Sequence, residues 1–476
     1  MKTICIDNLN KDFGLAIEFL SKMKTSGRNL SMPGDGRYQP EKLKAYLGYD
    51  QWAAWLIIVE WFWMVTLGFT REMPQEDAEL LTNERLFDLL NGITTTMQDE
   101  AEKKTKHDII ALRDLMCARL PKQLHRWLHF GATSYDIIST AYALQAKIIF
   151  EKVFWPKIQE VDGLWRDKIS ETTNILQAGR THLQTALPVT VGFWLACLHN
   201  RFANSARMTK QFATEIVGKF SGAVGTYASQ EALMKVSVCE DLFMKIVGLP
   251  KALVSTQITP PEPMSRYYFE LVLLSGAMAN LGEDTRILQS SMCGEIISAS
   301  SSSSAMAHKT ANPIAAENVA GMHESVKAEF QKVMSTLVTD IQRDLRGSSV
   351  MRSQSAVMVY VFQQLKTTER LLKSLKANEK RCLENYNKEA VLLSAETIHL
   401  YLQREGFSGS HEFVNKTLIS EVKALGGNLY DELMKYDDVA VYLEEMSPEL
   451  VQIVRGDMPS LGRAVKIAET ESINSV

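Results

Sequence analysis

Proline is missing from three long intervals of this chain. None lies between Pro188 and Pro250, between Pro263 and Pro313, or between Pro313 and Pro448. Proline removes a backbone donor and breaks helix interiors, so these intervals leave room for helices well beyond the usual three turns. Their content agrees. YYFELVLLSGAMANLGEDTRILQSSMCGEI and AAENVAGMHESVKAEFQKVMSTLVTDIQRDL are rich in Leu, Met and Ala, with apolar residues at helical spacing. TAYALQAKIIFEKVFWPKIQEVDGLW and GFWLACLHNRFANSARMTKQFATEIVGKF read the same way. Val-rich alternating runs are scarce. The expectation is an all-α protein with a central bundle of long helices over residues 133–382, flanked by smaller helical domains over 1–132 and 383–476.

The composition narrows the function classes. In 476 residues the net charge is −4, with 46% hydrophobic and 23% charged residues. That balance gives no basis for nucleic acid or an anionic membrane as partner. Six cysteines are scattered, without a CxxC pair or a Cys/His spacing suited to zinc, so reduced thiols in a cytoplasmic protein are expected, with no metal. The opening MKTICIDNLNKDFG lacks the apolar stretch of a signal peptide. WAAWLIIVEWFWMVTLGF, Trp52 to Phe69, is nearly apolar over about the length of a membrane span. Glu60 near its middle and the lack of flanking basic clusters favour a helix buried in a large core.

Four segments carry polar residues in purposeful settings. HFGATSYD contains His129, Thr133, Ser134 and Asp136; Thr133 and Asp136 have capping-box spacing before a helical run, which fits a structural cap as well as an anion site. GRTHLQTALPVT places His182 on a polar stretch ahead of a proline-started helix. ASSSSSAMAHKTANP, from Ala299 to Pro313, reads by composition as a flexible loop or linker. It lies between two of the longest helical segments, where a Ser-rich loop on a rigid scaffold is a common place for function. RDLRGSSVMR offers Arg343, Ser348, Ser349 and Arg352, which fit either a solvated helix end or a phosphate clamp.

Taken together and in this order, these segments resemble the fumarase/aspartase superfamily, whose members share a helical-bundle fold. SSAMAHKTANPIAAEN is similar to its S-S-x-M-P-x-K-x-N-P signature. The likeness is strongest toward the adenylosuccinate lyase branch. DGRYQPEKL (Arg37, Tyr38), TKHDIIALRDLM (His107, Asp108), STQITP (Gln257), EDTRILQ (Arg286) and RDLRGSSVMR resemble that branch's segments. The chain departs from the pattern at Ala307, where proline is usual, at Thr310 and Ala311, which separate Lys309 from Asn312 by one residue more, and at Arg346 and Gly347, where Ser-His is usual. Carboxymuconate cycloisomerases share GATSYDI- and LPVTVG-like segments and form the alternative, as does a catalytically silent structural paralogue.

The resemblance implies elimination of fumarate from a succinyl nucleotide, without metal or organic cofactor, on a homotetramer with shared active sites. It assigns Ser303 as base with Ser304 beside it, His182 as general acid and Glu317 as its carboxylate partner. His107 would lie near the transferring groups. Lys309 and Asn312 would hold developing carboxylate charge, and Thr133 and Ser134 would grip the fumaryl carboxylates. Arg37, Tyr38, Ser348, Ser349 and Arg352 would bind the phosphate, and Asp108, His129, Gln257 and Arg343 would complete the substrate contacts.

Overall fold

The computed structural model describes residues 6–23, 38–298, 312–344 and 346–476. Long helices fill the proline-free intervals: Val191–Thr214, Glu262–Gln289, Ile314–Met334 and Ser355–Ser374. A further helical stretch runs through Ser134–Ile149, a π-helical turn at Phe150–Phe154, and Trp155–Thr172. The wide turn has a local cause. Pro156 lacks an N–H, and its ring would clash with the carbonyl four residues earlier in a regular helix. The chain resolves into two compact units, each gathered from three separated stretches.

The first unit comprises Met1–Gln159, Asn204–Gly276 and Gly321–Lys366. At its heart is the apolar run read from the sequence, a helix Trp52–Phe69 with fourteen of its residues buried. Its tryptophans explain the burial. Trp63 stacks on Phe220 at 3.9 Å and meets Phe243 edge-on at 5.8 Å, while Trp52 stacks on Tyr142 at 4.4 Å. The indole N–H groups of Trp55 and Trp63 donate to the carbonyls of Tyr46 and Phe130. A helix buried on every side has no need of an amphipathic pattern, which is why its sequence resembles a membrane span.

The second unit comprises Glu160–Ala203, Ala277–Ala320 and Thr367–Val476. Within it, Trp165 packs on Phe202 and donates its indole N–H to the carbonyl of Leu195, and Trp194 donates to Asp284. Gly282 lets two helices touch: a Cβ there would stand 2.6 Å from the carbonyl oxygen of Ala316. His199 is wholly buried, with Nε2 2.9 Å from Asp162 Oδ1 and Nδ1 2.7 Å from Glu471 Oε1. Near the C-terminus a separate apolar cluster gathers Ile398, Leu402, Leu418, Leu429, Leu433 and Val454.

Two short antiparallel pairs interrupt the helices of this unit. Strands β1 (Leu176–Thr181) and β2 (Gln184–Thr190) form a hairpin, and β3 (Ile296–Ser298) pairs with β4 (Leu375–Ala377). The hairpin corrects the expectation that His182 precedes a proline-started helix. Pro188 lies within β2, and the following helix starts at Val191. Val189 and the two threonines at 185 and 190 favour extended backbone, and tertiary pairing holds it.

Candidate active site

The first unit brings together most of the site residues singled out in the sequence. Thr133 precedes the helix Ser134–Ile149, and its backbone N–H donates to Asp136 Oδ2 at 2.8 Å, as the capping-box spacing predicts. Asp136 is wholly buried and does more than cap: it pairs with the buried Lys219 and accepts the backbone N–H groups of Ser221 and Gly222. These contacts fix the helix start on which Ser134 sits.

His107 occupies the N-cap position of the helix Asp108–Cys117. Its Nδ1 accepts from the backbone N–H of Ile110 at 3.5 Å, which leaves Nε2, 3.2 Å from Ser134 Oγ, to face that hydroxyl. The next residue, Asp108, lies 3.8 Å from the Arg352 guanidinium. Arg352, on the helix Gly347–Ser353, donates to Ser348 Oγ one turn earlier at 2.6 Å. Arg343 lies over the Tyr135 ring at 3.8 Å, and its Nε and Nη2 are buried with no hydrogen-bond partner among the described residues. Ser349 is exposed on the same short helix. Gln257 is drawn toward this segment because its backbone N–H donates to the carbonyl of Gln342 at 3.3 Å. Tyr38 belongs to this unit and is half-buried. A cavity lined by Tyr135, Tyr142, Ile258, Pro261, Arg343 and Met351 opens among these elements.

His129 is held differently. Its backbone takes a positive φ of 59°. Its N–H donates to Glu60 Oε2 at 3.0 Å, and its Nδ1 lies 2.7 Å from Glu60 Oε1. Burial alone would lower the histidine's pKa, but the charge and hydrogen bond of Glu60 outweigh it and raise the value above the ordinary one. The lone carboxylate in the apolar run is therefore a clamp on His129. An acidic residue amid tryptophans signals a buried partner, but it does not say which.

The second unit holds His182, Asn312 and Glu317. His182 and Leu183 form the two-residue turn of the hairpin, with φ of 53° and 62°. Such turns usually use Asn-Gly; two bulky residues in the left-handed region are strained, and strain of this kind gathers at functional positions. His182 is exposed, and so is Glu317 in the first turn of the helix Ile314–Met334. Among the described residues no hydrogen bond joins them. Arg37, Ser303, Ser304 and Lys309, with the departures at Ala307, Thr310 and Ala311, lie outside the described residues.

Arg180 and Glu295 carry no local signal in the sequence, because they meet across 115 residues of chain. Glu295, wholly buried, accepts from Arg180 through both oxygens, at 3.0 and 2.5 Å, and from Gln177 and Asn385 at 2.9 Å each. Burial alone would raise its pKa; the donors from Arg180, Asn385 and Gln177 hold it below the usual range.

Among long helices, the first unit sets the His107 ring beside the Ser134 hydroxyl and the Arg352 guanidinium beside Ser348 and Asp108. Comparison with known proteins gives the class of this helical protein, a lyase. Residues 82–327 match the model of the family described as Lyase. The chain is 28% identical over 435 residues to the adenylosuccinate lyase of Archaeoglobus fulgidus, covering 89% of this chain and 94% of that one. It is 30% identical over 322 residues to the adenylosuccinate lyase of Bacillus subtilis, covering 66% and 70%. Among solved structures, a fumarate lyase from Mesorhizobium sp. BNC1 superposes with a TM-score of 0.77 at 19% identity, covering 91% of this chain and 98% of that one. The 3-carboxy-cis,cis-muconate lactonizing enzyme of Pseudomonas putida does so with 0.77 at 17% identity, covering 92% and 97%. The chain belongs to this lyase family and has the all-α fold of the fumarase/aspartase superfamily.

Proposed function

We propose that this protein is an adenylosuccinate lyase, eliminating fumarate from adenylosuccinate to leave AMP, and acting likewise on the related imidazole-carboxamide succinyl nucleotide of purine biosynthesis. The observation that carries this reading is the cluster in the first unit, where Arg343 and Arg352 flank Ser348 beside the His107–Ser134 pair. The buried Nε and Nη2 of Arg343, without a hydrogen-bond partner among the described residues, are donors suited to an anion, and guanidinium groups match phosphate geometry. A substrate made only of carboxylates, such as a muconate, gives such a cluster no phosphate to hold. The curated relatives named adenylosuccinate lyase point the same way.

The reaction removes a weakly acidic proton from the carbon next to a carboxylate. Ser303 takes that proton, with Ser304 beside it. The electron pair moves into the carboxylate as an aci-carboxylate, whose charge Lys309 and Asn312 hold, and then returns to form the double bond of fumarate as the C–N bond breaks. His182 protonates the departing purine nitrogen, oriented by Glu317, with His107 near the groups in transfer. Thr133 and Ser134 grip the fumaryl carboxylates. Arg37, Tyr38, Ser348, Ser349 and Arg352 hold the phosphate, and Asp108, His129, Gln257 and Arg343 complete the substrate contacts.

Each site is assembled between subunits of a cytoplasmic homotetramer. His182 and Glu317 then meet partners on other copies of the chain, which fits their exposure. Incubation with adenylosuccinate, read by fumarate release and AMP formation, tests the reading. Turnover of a muconate without turnover of adenylosuccinate overturns it in favour of a cycloisomerase, and neither activity in a folded tetramer points to a silent paralogue.

A further inference from the structure

The tip of the hairpin that carries His182 is exposed, from Thr181 to Gln184. A two-stranded hairpin is marginal on its own, and this one turns through two non-glycine residues at positive φ. Its base is another matter. In a regular strand Gln177 and Arg180, three positions apart, point to opposite faces. Here the register shifts between Ala178 and Arg180, and this bulge turns both side chains toward Glu295. Gly179 sits inside the bulge, where a Cβ would stand 2.4 Å from the carbonyl oxygen of Leu187. Arg180 also donates to the carbonyl of Ala178, which braces the bulge from within.

Glu295 is itself fixed. Asn385 donates to its Oε1 and to the carbonyl of Cys293, Arg381 donates to the carbonyls of Met292 and Cys293, and Asn378 donates to the carbonyls of Gly294 and Glu295. The carboxylate is therefore a rigid post that meets β1 two residues before His182. Its two oxygens each accept two of these donors.

We infer that Glu295, through Arg180 and the bulge at Gly179, is a positioning residue that holds the His182 turn in place for proton transfer; this rests on the reading of His182 as general acid. Proton transfer needs heavy atoms within hydrogen-bond reach, and a displacement of about 1 Å costs on the order of 100-fold in rate.

The test compares the full-length protein with Glu295→Gln and Arg180→Lys, each made in the parent and in His182→Ala. Glu295→Gln keeps shape and loses charge, and Arg180→Lys keeps charge and loses the paired contact, so a folding failure in one leaves the other to decide. In the parent, each is expected to lower kcat for adenylosuccinate by about 10- to 100-fold while KM stays within about twofold. In His182→Ala neither lowers kcat further, because the group they act through is gone. An unchanged kcat in the parent, or an equal further loss in His182→Ala, overturns the inference and leaves the assigned activity standing. A parent that releases no fumarate overturns the activity instead. Amide hydrogen exchange over residues 176–190 then decides the anchoring: at least about tenfold faster exchange in Glu295→Gln is expected, and equal exchange overturns it.

Discussion

The carboxylate of Glu60 grips His129 at two points, accepting its backbone N–H at 3.0 Å and lying 2.7 Å from its ring Nδ1, from the middle of an otherwise apolar buried helix. The pair is both an anchor for the segment leading to Thr133 and a buried charge that must stay matched. Glu60→Ala should destabilise the fold by about 3 kcal/mol, since it strands a partly buried histidine, and Glu60→Gln should cost less. The raised pKa of His129 fixes the sign with pH. Its contribution is fully present below the unfolded value of about 6.5 and is lost as pH rises through the folded value. Urea titrations of the parent and Glu60→Gln from pH 6 to 9 check this: the gap between them should narrow as pH rises.

Acid should weaken the second unit through Asp162. Burial alone would raise its pKa, but hydrogen bonds from His199 and Arg166 hold it below the usual carboxylate range. A depressed carboxylate stabilises the fold above its unfolded pKa of about 3.9, and that contribution disappears as pH falls through the folded value. Asp162→Asn should flatten the acid limb of stability measured by denaturant between pH 6 and 3. An unchanged acid limb argues that Asp162 carries no linked proton.

Arg352→Ala removes a guanidinium that faces Ser348 and Asp108. If Arg352 holds the phosphate as proposed, KM for adenylosuccinate should rise by roughly tens of fold, with a smaller change in kcat, because such a contact is made before and during the reaction. AMP titration of parent and mutant offers a second reading: AMP should bind the parent at millimolar levels or below and lose affinity in the mutant.

His182→Ala should reduce kcat by a factor of about 100 or more, with substrate binding retained. Loss of binding with chemistry intact would show that His182 contacts the substrate in another role.

Light scattering at micromolar concentration should give the mass of four chains. A fully active monomer would contradict active sites shared between subunits.

The long helices could be read from the sequence because their causes are local. The absence of proline over Pro263 to Pro313 permits Glu262–Gln289, and the periodic Leu, Met and Ala residues propagate it. The cap at Thr133 was readable for the same reason, its partner being three residues away. Even the apolar helix Trp52–Phe69 announced that it would be surrounded, though not by what. The pairings that set up the candidate site were beyond such reading. Glu60 and His129 are 69 residues apart, and Arg180 and Glu295 are 115 apart. A buried charge must find a partner, but hydrophobic collapse and helix packing decide which one. The hairpin at His182 shows the same division. Gly-Arg-Thr-His carries no strong strand pattern, and the extended backbone exists because β2, the bulge and Glu295 hold it. Local periodicity and capping fix elements over a few residues, so the sequence alone determined the helices; long-range burial fixed where their polar residues meet, so only the tertiary structure decided the site.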